Sequence, residues 1–418
     1  MASRVRRFAL DPIIQFLRTE VAGGVVLLAA ATVALIWANS PLRESYEALW
    51  ATPLDLRSGT PLHLDLTLRL WVNELLMALF FFVVGLEIKR ELVDGELKEP
   101  RNAALPIVAA VGGMAVPAAI YLSLNAGGPG ASGWGIPMAT DIAFAVGVLA
   151  LFGRRVPVGL KIFLLSVAIV DDIGAIAVIA IFYTGGVVIP ALGVGVAGLL
   201  LTLLAWRLRR RDRRTFVGAR PFAALIGLLA LVVWTATHES GVHATIAGVA
   251  LGLATPATPG PEPSPAERLE EALHPWTSFV VVPLFAIANA GVPLGGDIVD
   301  GLRSPVGLGI VLGLVVGKIV GISTSTWLAC RLRLARLPTG VTMAHVVAAA
   351  AVAGIGFTVS IFIAGLAFAD QELVTDAKLG ILSGSLAAAL IGSALLALLG
   401  RRRDRQDDVV ASEAERAG

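Results

Sequence analysis

Apolar residues in this chain run in blocks too long for the core helices of a soluble domain, and polar residues collect between the blocks. A helix crossing a bilayer needs about 20 predominantly apolar residues. On that ruler roughly twelve spans are predicted, over 23–37, 70–86, 103–124, 134–152, 158–183, 187–204, 222–237, 241–253, 277–290, 307–329, 342–368 and 379–399. An even number places both termini on one side. The eighth block is short. The fourth and eleventh are interrupted, by Gly135 and Pro137 and by Gly354 and Gly356. One loop follows another period: residues 54–66 alternate apolar and polar on either side of Ser58-Gly59, which predicts a β-hairpin. Residues 255–265, with five prolines, form a linker too rich in proline for regular structure.

Composition fixes the class. Of 418 residues 56% are hydrophobic and 15% charged, with mean hydropathy +0.81, far more apolar surface than one soluble core hides. The chain is therefore read as an all-α polytopic membrane protein with a small periplasmic β-hairpin. Its organisation is one transporter domain over 1–400 and a charged, disordered cytoplasmic tail over 401–418. Net charge is +2, and the expected surroundings are lipid rather than nucleic acid. The single cysteine, Cys330, excludes an intrachain disulfide framework and a cysteine-based zinc site. Residues 1–20 carry Arg4, Arg6 and Arg7 and are read as an uncleaved cytoplasmic segment.

Charge sign alternates along the loops. Lys89, Arg90, Lys98 and Arg101 follow the second block, Arg154, Arg155 and Lys161 the fourth, and Arg207, Arg209, Arg210, Arg211, Arg213 and Arg214 the sixth. Arg331, Arg333 and Arg336 follow the tenth, and Arg401, Arg402, Arg403 and Arg405 the twelfth. The intervening loops are poor in basic residues, so the positive-inside rule puts the basic loops and both termini in the cytoplasm.

Chemistry enters where charge interrupts the apolar blocks. Asp171 and Asp172 sit near the middle of the fifth. An ionised side chain at bilayer centre costs between about 3 and more than 10 kcal/mol, so such residues face water or a partner inside the bundle. A site for protons or a cation is expected. A protonated, hydrogen-bonded packing pair is the plainer role. Consecutive helical residues point about 100° apart, so the pair shares a neighbourhood without sharing a direction. Asp141 follows Thr140 beside the break in the fourth block, where it either offsets a helix N-terminus or binds an ion directly. Gly354, Gly356, Thr358 and Ser360 make a matching break in the eleventh, and paired breaks of this kind predict an inverted-repeat transporter whose site lies where broken helices cross. Lys318 follows Gly309, Gly313 and Gly317 on a small-residue face that lets another helix approach. It pairs with Asp141 or Asp172, offsets the negative end of a broken helix or carries a proton.

At these residues the sequence resembles the NhaA family of Na+/H+ antiporters. The resemblance covers nearly all of the chain except its tail. It rests on Phe82-Val-Val-Gly-Leu-Glu87-Ile-Lys-Arg90-Glu91, Ala139-Thr140-Asp141-Ile-Ala-Phe, Val170-Asp171-Asp172-Ile-Gly-Ala-Ile, Ser240-Gly-Val-His243-Ala-Thr-Ile-Ala-Gly, Leu273-His274-Pro275-Trp276, Phe285-Ala-Ile-Ala-Asn-Ala-Gly-Val, Gly317-Lys318 and Gly356-Phe-Thr358-Val-Ser-Ile-Phe. It implies twelve transmembrane helices with the fourth and eleventh broken and crossing, an inner-membrane location, and a homodimer joined partly by the hairpin. It implies electrogenic exchange of two protons for one Na+ or Li+, switched on at alkaline pH, with no cofactor. Asp171 and Asp172 are implied as the Na+- and proton-binding pair, Asp172 the more central, with Asp141 and Thr140 as broken-helix partners and Lys318 as the essential buried lysine. Glu87, Arg90, Glu91, Glu270 and His274 are implied as an entrance cluster tied to pH response, and Glu271 departs from the family pattern. Without the resemblance that cluster reads as a salt-bridged helix-end face, and His243 as a packing histidine rather than a sensor.

The expected function is thus a secondary active transporter, not an enzyme, in which Na+ and H+ compete for one buried carboxylate pair. Two other readings use the same residues. An intramembrane aspartyl protease needs two carboxylates sharing a proton, for which Asp141 and Asp172 are the candidates, and a Na+-coupled organic-anion symporter uses a similar crossed-helix fold.

Overall fold

The computed structural model describes residues 21–55, 65–211, 219–260, 262–295 and 298–417. The N-terminal segment over 1–20, the hairpin turn at Ser58-Gly59, and Arg213 and Arg214 of the basic loop lie outside the described residues.

Helices dominate. In chain order they are α1 (Val21–Ala38), α2 (Arg43–Ala51), α3 (Leu68–Asp94), α4 (Pro100–Asn125), α5 (Ile142–Leu151), α6 (Val158–Phe182), α7 (Ile189–Arg211) and α8 (Ala219–Glu239). There follow α9 (Thr245–Ala254), α10 (Pro265–Asn289), α11 (Ile298–Arg303), α12 (Pro305–Arg331), α13 (Met343–Ala353), α14 (Phe357–Ala367) and α15 (Gln371–Ala417). Among the described residues ten spans are long and apolar enough to cross a membrane, the pair α13 and α14 passes as one broken span bent by 49°, and α9 is a shorter apolar helix. Together these account for the twelve predicted blocks. The apolar stretch of α15 that qualifies as a span is Gln371–Arg401.

Both predicted breaks are present. The first half of the fourth span is a tight 3-10 helix, Ala131–Met138, and the backbone is extended at Ala139 and Asp141 before α5 begins. The prolyl ring of Pro137 has no N–H to give to a helical ladder, which suits it to this short, non-α segment. In the eleventh span Gly354-Ile355-Gly356 separates α13 from α14.

Three of the long helices carry one wide π turn each, at Val72–Leu76 in α3, Thr277–Val281 in α10 and Gly313–Gly317 in α12. The last ends directly before Lys318.

The chain forms two compact units. One comprises residues 1–25, 99–175 and 294–418, and holds both broken spans, Asp171, Asp172 and Lys318. Lipid tails give apolar side chains no reason to prefer each other, so packing here depends on close backbone approach. A β-carbon on Gly317 would lie 2.7 Å from the Pro117 Cα of α4, and one on Gly313 2.6 Å from Pro137 Cβ. Even alanine at either position forces a backbone shift. The glycine face of α12 therefore fixes that helix against α4 and the 3-10 segment.

The other unit comprises residues 26–98 and 176–293. Within it α3 and α9 touch backbone to backbone: a β-carbon on Gly85 would meet Val249 O at 2.7 Å, and one on Gly252 the Phe82 carbonyl oxygen at 2.5 Å. Trp234 and Ala247 anchor its core beside Trp71. β1 (Pro53–Asp55) pairs antiparallel with β2 (Asp65–Thr67), Leu54 opposite Leu66. The proline-rich linker ends where Ser264 starts α10 with a capping box, its hydroxyl accepting from Glu267 N while Glu267 Oε2 accepts from Ser264 N at 2.5 Å.

Candidate cation and proton site

The site grows from the two breaks. Extended backbone at residues 139–141 frees groups that an unbroken helix would use internally, and the second break takes them up. Asp141 N donates to Ile355 O at 2.6 Å, Thr140 Oγ1 donates to Ala353 O at 2.9 Å, and Ser360 Oγ donates to Ile136 O at 2.8 Å. The two spans thus cross at their interruptions, where carbonyls freed by each break accept from the other span.

Asp141 serves helix ends on both sides of this crossing. Its Oδ1 accepts from Phe144 N at 3.2 Å, capping α5, and its Oδ2 accepts from Thr358 N at 3.1 Å and Thr358 Oγ1 at 2.6 Å at the start of α14. Helix N-termini carry about half a positive charge each. One carboxylate compensates two of them. Of the two roles left open by the sequence, this geometry supplies helix-end compensation.

Next to it lies a buried ion pair. Lys318 Nζ sits 2.7 Å from Asp171 Oδ2, with side-chain exposures of 1% and 2%. The ammonium also donates to Thr140 Oγ1 at 3.0 Å and to the Met138 carbonyl oxygen, and the Thr140 hydroxyl is 2.7 Å from Asp171 Oδ2. A dry charge pair persists only when its remaining hydrogen-bonding capacity is used, and three acceptors surround this ammonium. On the carboxylate, Asp171 Oδ1 is buried and accepts no hydrogen bond from a described residue. Asp172 follows it on α6 and is also buried. Of the five residues expected here, Asp171, Thr140 and Lys318 form one cluster and Asp141 joins it through the backbone of Thr140. Lys318 pairs with Asp171 and not with Asp141 or Asp172, the partners expected from the sequence, because α6 turns the first of its two aspartates towards α12; the resemblance makes Asp172 the more central carboxylate.

Thr358, named in the sequence as a hydroxyl of the second break, makes two of Asp141's bonds. One contributor escaped the sequence reading: Ser385 of α15 accepts from Gly356 N and Phe357 N at 3.2 and 3.3 Å. Hydroxyls are frequent in membrane helices and usually bond to their own backbone, so it had no distinguishing signal.

The predicted pH-response residues all fall in the other unit. Glu87, Arg90 and Glu91 lie on α3, Glu270 and His274 on α10. Arg90 Nη1 bridges the helices to Glu270 Oε1 at 2.8 Å. Glu91 Oε2 instead accepts from Glu96 N at 3.1 Å, holding the turn after α3. His243 Nε2 donates to Tyr183 O at 2.7 Å, which gives the ring a packing partner. The same unit contains a polar group the sequence did not reveal: Asn73 and Asn289 exchange amide hydrogen bonds at 2.8 and 3.3 Å, and Glu74 Oε2 accepts from Ala244 N beside His238.

Comparison with known proteins agrees with this geometry. The family model described as "Na+/H+ antiporter 1" matches residues 14–396. The chain belongs to that family. It is 49% identical over 382 residues to a protein named Na(+)/H(+) antiporter NhaA from Escherichia coli (strain K12), covering 90% of this chain and 96% of that one. Proteins of the same name from Citrobacter koseri, at 49% identity, and Escherichia coli O1:K1, at 48%, align over equal shares. Family members of this name are transporters rather than enzymes, and the spans described above make this one a multi-pass membrane protein.

Proposed function

We propose that the chain exchanges cytoplasmic Na+ or Li+ for external protons, using Asp171, Asp172, Thr140 and Lys318 as one alternately occupied site. The observation that carries this reading is the Lys318–Asp171 pair, a cation already seated on a buried carboxylate at the crossing of two broken helices. An arriving alkali ion competes with that ammonium for the same oxygens. Asp171 Oδ1 and the Asp172 carboxylate offer it hard oxygen ligands of the kind Na+ prefers.

Electrogenic two-for-one exchange assigns the site two charge states. With protons loaded, Lys318 is an ammonium, Asp171 ionised and Asp172 protonated, so the three side chains sum to zero. With Na+ loaded, both carboxylates are ionised, the lysine is neutral and the sum including the ion is minus one. Two protons leave as one cation enters. Each cycle therefore moves one net charge, which lets the membrane potential drive Na+ outward. Asp141 stays ionised throughout, because the helix ends it caps remain. Its engagement at those ends favours antiport over the aspartyl protease reading, which needs it as the second half of a dyad.

The rest of the reading follows from loop charge and family membership. Both termini and the charged segment 401–418 lie in the cytoplasm of a bacterial inner membrane, and residues 1–400 act as one transporter domain. Glu87, Arg90, Glu91, Glu270 and His274 form the pH-responsive entrance, and two copies associate through the hairpin β1–β2.

Everted vesicles carrying a pH-gradient dye test the central claim. Adding Na+ should collapse the gradient with the parent protein and leave it intact with Asp172→Asn or Asp171→Asn. Undiminished collapse by either variant rejects the site.

A further inference from the structure

We propose that Ser385 is a positioning residue for the cation site, acting through the peptide that joins Ile355 to Gly356; this rests on the antiport reading above. That peptide is gripped on both edges. Its carbonyl, Ile355 O, accepts from Asp141 N at 2.6 Å, and its N–H, on Gly356, donates to Ser385 Oγ at 3.2 Å. The next N–H, on Phe357, donates to the same hydroxyl at 3.3 Å. Ser385 is 6% exposed, and it reaches the break from α15, outside both crossing spans.

The first three N–H groups at the start of α14 are thereby divided. Gly356 and Phe357 go to a neutral hydroxyl, and Thr358 goes to the Asp141 carboxylate at 3.1 Å. This division matters electrostatically. A buried N–H without an acceptor is costly, and the strongest acceptor at that helix end is Asp141. If the hydroxyl is removed, the two freed donors compete for Asp141, and the Ile355–Gly356 peptide is free to turn towards it. Turning withdraws Ile355 O from Asp141 N. The next link is Thr140, whose hydroxyl touches both Ala353 O at 2.9 Å and Asp171 Oδ2 at 2.7 Å. Ser385 never touches the cation, yet it holds the far edge of the frame that aims Thr140 at Asp171.

A frame of this kind affects affinity more than turnover. Ser385→Ala should raise the apparent KM for both Na+ and Li+ about three- to tenfold, measured at alkaline pH where protons compete least, with kcat within about twofold of the parent. Ser385→Thr, which keeps the oxygen, should restore the parent KM. Ser385→Cys, a weaker acceptor of similar size, should fall between, and it serves with the Thr variant if the alanine protein does not accumulate. Two readouts keep this proposal separate from antiport itself: Na+-induced proton release from purified protein, and exchange in proteoliposomes. If the parent releases protons but does not exchange, antiport fails while the release titrations of the Ser385 variants still test the frame. If the alanine or cysteine variant keeps the parent KM, or loses kcat at constant KM, Ser385 is a packing residue and the proposal is overturned.

Discussion

Two carboxylate–cation contacts of nearly equal length sit in different settings. In one compact unit Lys318 meets Asp171 at 2.7 Å with exposures of 1% and 2%; in the other Arg90 meets Glu270 at 2.8 Å with exposures of 33% and 8%. Distance alone would rank them as equals. Burial separates them. A pair sealed from solvent and salt is an exclusive arrangement, since losing either partner strands the other in a medium that solvates it poorly. The Arg90 guanidinium, one-third exposed, is open to water and salt, while its partner Glu270 is buried and depends on it. The first suits a site whose occupant must be exchanged for another cation, the second a contact that shifts with conditions.

The comparison is sharpest at Lys318. Lys318→Ala leaves the Asp171 carboxylate buried beside only the Thr140 hydroxyl, and should cost about 3–5 kcal/mol of stability, read as a large fall in thermal midpoint in detergent. A midpoint within a few degrees of the parent would place the pair in a wetter setting than its exposure indicates. Thr358→Val comes next. It removes a 2.6 Å hydrogen bond to Asp141 but leaves the Thr358 N–H, so about 1.5–3 kcal/mol should be lost, together with a higher KM for Na+. Arg90→Gln takes the cation from buried Glu270 and should cost about 1–3 kcal/mol, keep the maximal exchange rate and move the pH at which exchange switches on. Raising salt towards 1 M should mimic that variant and leave Na+ binding at Asp171 insensitive; equal salt sensitivity at both sites would erase the contrast.

An effect confined to alkaline pH is expected at Tyr46 of α2. Its hydroxyl donates to Ile287 O at 2.9 Å and accepts from Gly291 N at 3.2 Å, and burial pushes its ionisation up to about 12. An acid whose folded value lies above its unfolded value contributes fully below the unfolded value, about 10. That contribution is lost as pH rises from about 10 to 12. Thermal midpoints over this range should fall more steeply for the parent than for Tyr46→Phe.

How much of this was readable beforehand depends on rarity. Asp141, Asp171, Asp172 and Lys318 stand out because an ionisable residue within an apolar block is expensive, and the breaks stand out because glycine and proline flank them. The sequence reading gave the lysine Asp141 or Asp172 and missed Asp171: consecutive helical residues differ by about 100°, and only the rotation of α6 places Asp171 there. Thr358 was legible as part of the second break but not as the partner of Asp141, and Ser385 stayed hidden among ordinary hydroxyls. The hairpin followed from simple alternation but its register, Leu54 opposite Leu66, did not, and Glu74, His238, Asn73 and Asn289 meet only through contacts distant in sequence.

The wide turn at Gly313–Gly317 has one last consequence. Such a turn accommodates one residue more than an α-helix would use over the same length, and each residue corresponds to about 100° of rotation. The stretch up to Leu312 and the stretch from Lys318 onward therefore keep their facing across one surplus residue. Deleting a single residue inside the turn would tidy the helix and leave the charged end of Lys318 aimed at Asp171, while breaking the close seating of Gly313 on Pro137 and Gly317 on Pro117: the surplus residue serves the fit between helices, not the aim of the lysine.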